Sequence, residues 1–129
     1  MTLKSFIAVA DLRLLREKLD VISEENRFAI TCILFAAGKP IPYSHLLKIS
    51  GLSSPSLSFH LKKLTEAKII RKIEEKKRKR GKPYIYYEIT NEGKKVLKAI
   101  GISKAEKPLK EWFQKATKNP SMQNTPSSI

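Results

Sequence analysis

The sequence predicts an α+β fold, mostly helical with one small antiparallel β-hairpin, and three stretches carry that prediction. The first is Phe28 to Ala37, FAITCILFAA, apolar on nearly every side, as the central helix of a small core must be. The second is Ser54 to Ala67, SPSLSFHLKKLTEA, whose Ser-Pro opening marks a helix start and whose leucines recur on one side. The third is a pair of short runs, IIRKI and YIYYEIT, β-branched and aromatic, separated by the charged EEKKRKRGKP with turn residues Gly81 and Pro83.

A chain of 129 residues has room for one compact core with appended helices or tails. Its composition divides it into an N-terminal helix (1–22), a central domain (23–100), a C-terminal helical extension (101–118) and a polar, Pro-punctuated tail (119–129) expected to be disordered. Lys and Arg number 26 against 12 Asp and Glu, a formal charge of +14 with a pI near 10.0, which calls for a polyanionic partner. Nucleic acid comes first and an anionic membrane surface second. A membrane span needs about twenty consecutive apolar residues. The Phe28 to Ala37 stretch is interrupted by Thr31 and stops at Gly38, so no span is expected. The opening MTLKSFIAVADLR has too short an apolar run and too poor a cleavage site for a secretory signal. The single Cys32 cannot form an internal disulfide and reads as a packed thiol in a reducing cytoplasm.

Taken in order, residues 3–20 place Leu12, Leu15 and Leu19 at helical spacing among charges, a one-sided helix ending near Asp20 that could pair two copies of the chain. Ser23 is the expected cap of the next helix, with Glu24 and Glu25 at the positive end of its dipole. Gly38 supplies the stop, and Pro40 and Pro42 prevent resumption, leaving Ile41 as a one-strand bridge into a small sheet. Ser44 is the expected cap of a short helix, HLLKIS, with Leu46, Leu47 and Ile49 inward, and Gly51 turns the chain toward Ser54. After the hairpin, Thr90 or Asn91 caps NEGKKVLKAIG, which Gly101 breaks. Residues 106–117 form one more short helix with Leu109, Trp112 and Phe113 on one side.

The helix from Ser54, taken to cap itself, has two unlike faces. At about 100° per residue, Leu57, Leu61 and Leu64 fall together with His60 at their margin, while Pro55, Ser56, Phe59, Lys62, Lys63 and Glu66 fall opposite. Small hydroxyls, amines and one aromatic ring suit a DNA groove, where they meet base edges, phosphates and thymine methyls. A helix, a Gly-containing turn and a second helix match the helix-turn-helix unit, whose second member enters the major groove. The hairpin connection holds Lys76, Lys77, Arg78, Lys79, Arg80 and Lys82 against Glu74 and Glu75, a run of like charge that repels itself unless phosphates receive it.

The order of buried helix, short helix, Ser-Pro-started helix, strand, basic hairpin, strand and helix is that of a winged helix-turn-helix. Through Leu57-Ser58-x-His60-Leu61-x-Lys63-Leu64-x-x-Ala67-x-Ile69-Ile70 and Tyr87-x-Ile89-Thr90-x-x-Gly93, residues 23–100 resemble small prokaryotic, especially archaeal, regulators of the ArsR and MarR type. The resemblance implies a homodimeric, double-stranded DNA-binding transcriptional regulator at the nucleoid. Its recognition helix would be 54–67 and its basic wing 74–83, with Ser54, Ser56, Ser58, Phe59, Lys62 and Lys63 on the DNA. Two departures stand out. Lys68 occupies a corner where such families often have glycine, and Cys32 alone cannot supply the cysteine pairs of the metal-sensing branch. No cofactor or effector is implied.

An enzyme is not expected. His45 and His60 are the only histidines, both on packed helices without evident catalytic or metal-ligating partners, and GLSSPS lacks the spacing of a phosphate-cradling loop. Two alternatives to a sequence-specific regulator stay open on these residues. One is a non-specific architectural protein coating DNA, and the other an adaptor binding RNA or the transcription machinery.

Overall fold

A computed structural model describes residues 10–76 and 84–118 and has the expected class: α+β, mostly helical, with a small three-stranded antiparallel sheet. Helices α1 (Ala10–Ile22) and α2 (Glu25–Ala37) lead into β1 (Ile41–Pro42), α3 (Tyr43–Ser50) and α4 (Ser54–Glu66). The hairpin strands β2 (Ile70–Glu75) and β3 (Tyr84–Ile89) follow, then α5 (Asn91–Ala99), a 3₁₀ turn (Ile102–Ala105) and α6 (Glu106–Lys118).

Helix α2 is the centre, with every residue from Ile30 to Ala36 buried, although Phe28 at its start is exposed. Around it close Ile22 of α1, Leu46 and Ile49 of α3, Leu57, Leu61 and Leu64 of α4, Ile69 just before β2, Ile70 and Ile89 of the hairpin, Leu97 of α5, and Phe113 and Ala116 of α6. Cys32 belongs to this core, and burial pushes its thiol pKa up. The expected Ile41 bridge forms, pairing with Tyr87 while Pro42 faces Tyr86, so β3 runs between β1 and β2. In the hairpin Ile70 faces Ile89 and Glu75 faces Tyr84, with Arg71 ion-paired to Glu88 across the strands.

Three expected caps lie elsewhere. Helix α2 is capped by Glu24, whose carboxylate accepts from the Arg27 amide at 2.8 Å, while Ser23 donates back to the Asp20 carbonyl at the end of α1. Helix α3 begins one residue before Ser44, with Pro42 at the cap position and no side-chain cap bond, because the proline ring has no acceptor to offer the first-turn amides. Helix α4 is capped by Ser53, whose hydroxyl accepts from the Ser56 amide, so Ser54 is its first helical residue. Thr90 caps α5 as expected. Helix α1 extends to Ile22, beyond Asp20, and α6 turns Trp112 outward, 42% exposed, while Phe113 alone of that pair is buried. The expectations for residues 1–9, for the hairpin tip 77–83 and for the tail 119–129 lie outside the described residues. Among those described, no helix is long and apolar enough to cross a membrane.

Candidate nucleic-acid interface

Helix α4 is held on three sides, which is what lets its fourth be offered outward. Leu57, Leu61 and Leu64 are fully buried, and His60, which the periodicity puts at their margin, is only 8% exposed. An imidazole so buried must be hydrogen-bonded. Arg27 of α2 provides the partner, with Nη1 3.1 Å from His60 Nδ1 and Nε donating to the Val21 carbonyl at 2.6 Å. Glu24 Oε1 lies 3.7 Å from the same ring nitrogen.

The C-terminal end of α4 is closed by a Schellman turn. The Lys68 amide donates to the Thr65 carbonyl and the Ile69 amide to the Leu64 carbonyl, both at 3.0 Å, with Lys68 at φ 62°. Lysine therefore adopts the left-handed conformation that glycine takes most readily. Lys18 of α1 donates to the Ala67 carbonyl at 3.0 Å, a cation at the negative end of the α4 dipole. Thr90 secures the corner from the other side: its hydroxyl lies 2.7 Å from the Lys68 carbonyl oxygen and 2.9 Å from that of Ile69, and it accepts from the Gly93 amide.

The outward side carries the expected residues. Ser54, Ser58, Phe59, Lys62 and Lys63 are exposed and Ser56 half-buried. Phe59 is 53% exposed, with its ring edge-on to His60 and the Lys63 ammonium 5.5 Å above its face. Lys76 is exposed just beyond β2; Lys77, Arg78, Lys79, Arg80 and Lys82 lie outside the described residues. Between α4 and the hairpin runs an open cleft of about 1290 Å³, lined among others by Tyr43, Ser58, Lys62, Lys72, Ile85 and Tyr87. The Tyr87 hydroxyl is pushed above the usual phenol range, mainly by burial and then by Tyr43 and Glu74.

Tyr43 is the residue that sequence reasoning missed. From the first position of α3 its hydroxyl reaches Ser54 Oγ at 2.8 Å and Ser58 Oγ at 3.0 Å, touching two of the expected contact residues. Only its place directly before Ser44, at the start of the shorter helix, could have drawn attention to it.

The exposed strip and its neighbours define a surface of hydroxyls, amines and one aromatic ring beside an amphipathic cleft. Among known proteins, no family model, curated sequence or solved structure matches this chain.

Proposed function

We propose that this chain is a sequence-specific double-stranded DNA-binding transcriptional regulator with a winged helix-turn-helix architecture. Helices α3 and α4 form the helix-turn-helix, α4 enters the major groove, and the β2–β3 hairpin is the wing. The observation that carries the reading is the two-sidedness of α4. One side is locked into the core by Leu57, His60, Leu61 and Leu64, and the other exposes Ser54, Ser58, Phe59, Lys62 and Lys63 beside a hairpin whose connection holds six basic residues. A rigidly held helix with an exposed polar face is what base reading requires, since phosphate contacts alone position a protein without selecting sequence. Exposed Leu14, Leu15 and Leu19 on α1 support pairing of two copies, which would give two such helices for a near-palindromic site.

The test is a fluorescence-anisotropy titration of a duplex from the gene's own promoter against a scrambled duplex at physiological salt. The regulator reading expects the promoter duplex to bind at least about a thousandfold tighter. Equal binding would overturn it.

Equal binding would instead favour non-specific coating, for which a second observation speaks. Residues 91–118 carry eight lysines, all on α5, the 3₁₀ turn and α6 and nearly all exposed, and none of them is on α4 or the hairpin. A coating protein would hold DNA through such dispersed charge, with affinity following salt and not sequence.

A further inference from the structure

The hydroxyl strip of α4 is not free to rotate. Three oxygens surround the Tyr43 hydroxyl: Ser54 Oγ at 2.8 Å, Ser58 Oγ at 3.0 Å and the Ser54 carbonyl at 3.3 Å. A phenol has one proton to donate, and the two hydroxyl contacts need two. At least one serine therefore gives its proton to Tyr43. The Ser54 carbonyl can only accept, and together with the closer Ser54 Oγ it draws the phenol proton to the Ser54 side. Ser58 is left to donate to the Tyr43 oxygen. A hydroxyl that donates inward has only lone pairs facing outward.

The phenol is a fixed reference for this arrangement. Tyr43 is half-buried against the core, opens α3, and follows Pro42, which is paired in the sheet with Tyr86. Its ring is held by that packing against the core, so the hydroxyl stands at one place between the two serines.

We propose that Tyr43 is a specificity-determining residue of the interface: it fixes Ser58 as an outward acceptor, so that on the strand it faces Ser58 selects a base presenting an exocyclic amino group in the major groove, adenine or cytosine, over guanine or thymine. This rests on the reading that α4 enters that groove. Adenine N6 and cytosine N4 are the donors there, whereas guanine O6 and N7 and thymine O4 would set lone pair against lone pair. Tyr43 acts through Ser58 and is a positioning residue. An unrestrained serine would meet donor and acceptor bases alike.

The experiment measures binding of the full chain to its preferred duplex and to every single base-pair substitution of it, for wild type, Tyr43→Phe, Ser58→Ala and the double variant. In wild type, one position prefers adenine or cytosine by about five- to tenfold, the worth of one well-placed hydrogen bond. Tyr43→Phe keeps the ring and reduces that preference to within about twofold while leaving other positions and the salt slope unchanged. Ser58→Ala does the same, and the double variant adds nothing. A second measurement needs no variant: replacing the selected adenine by purine, or the selected cytosine by its 4-deamino analogue, costs wild type the same factor and costs Tyr43→Phe little. A wild-type preference that Tyr43→Phe leaves intact, or a loss spread equally over all positions, would overturn the inference alone. A wild-type chain with no preference at any position would overturn the helix-in-groove reading and the inference with it.

Discussion

The guanidinium of Arg27 meets His60 Nδ1 at 3.1 Å across the boundary between α2 and α4, and this pairing explains how a histidine sits in an otherwise leucine-lined seam. Arginine can only donate, so Nδ1 is the accepting nitrogen and the ring proton lies on Nε2. The same guanidinium serves the Val21 carbonyl, so one side chain ties α1, α2 and α4 together.

Arg27→Met should therefore cost about 2 kcal/mol of stability, because two acceptors are deprived of their donor while the packed stem is kept. Urea denaturation of the variant would show a lowered midpoint with an unchanged m-value. An unmoved midpoint would mean that the network adds nothing to stability.

Gly93 is the one described glycine with no room for a side chain. A Cβ built there falls well inside contact distance of the Ile69 carbonyl oxygen and 2.8 Å from Ile89 Cγ1. The Ile69 carbonyl cannot retreat, since it also receives the Thr90 amide at 3.0 Å. Gly93→Ala should destabilise by about 1–3 kcal/mol through overpacking, whereas Lys98→Ala on the exposed side of α5 should change little. Thermal unfolding of the two variants side by side checks the contrast.

Lys68 presents the opposite opportunity. A non-glycine residue at φ 62° costs about 1–2 kcal/mol, partly offset by the greater freedom that glycine would bring to the unfolded chain. Lys68→Gly should raise stability by about 0.5–1 kcal/mol and leave the Schellman bonds in place. A fall in the urea midpoint would show that the lysine side chain contributes more than its backbone costs.

His45 gives the fold a pH dependence of known sign. Burial, then Lys48 and Lys39, lower its pKa below the ordinary histidine value of 6.5. The unfolded chain thus takes up a proton more readily than the folded one, so stability is fully present above pH 6.5 and is lost as pH falls toward the depressed folded value. His45→Gln should flatten the change in urea midpoint between about pH 7.5 and about pH 5.5 relative to wild type. A wild-type slope that survives the substitution would assign it to other groups.

On DNA, replacing Lys77, Arg78, Lys79 and Arg80 together by alanine should weaken binding to all duplexes alike. It should also flatten the plot of log affinity against log salt by about 0.9 for each phosphate no longer neutralised. Phe59→Ala should instead narrow the gap between specific and scrambled duplex. Anisotropy titrations over a salt series separate the two effects, and a salt slope that the fourfold variant leaves unchanged would remove the hairpin from the interface.

Much of the architecture was legible because its signals are local. Apolar residues on every side put α2 at the centre, β-branched and aromatic runs became β2 and β3, and the prolines around Ile41 leave a strand of only two residues. Caps were less legible for an equally local reason. Ser53 and Ser54 are chemically the same, and only the extended backbone of Ser53, at ψ 158°, decides which of them accepts from Ser56. Likewise Glu24 displaces Ser23 because α1 runs on to Ile22 and claims the Ser23 hydroxyl for the Asp20 carbonyl.

Periodicity within single segments was enough to set the class of the fold, the inward leucines of α4 and the polar residues opposite them. Which distant side chains meet is a different matter, settled by packing in three dimensions. Arg27 and His60 are 33 residues apart, Tyr43 and Ser58 fifteen, and no pattern along the chain encodes either pairing. The phase of α6 is of the same kind: which of Trp112 and Phe113 is buried depends on the surface α6 docks against, and that surface exists only once α2 and α3 have packed.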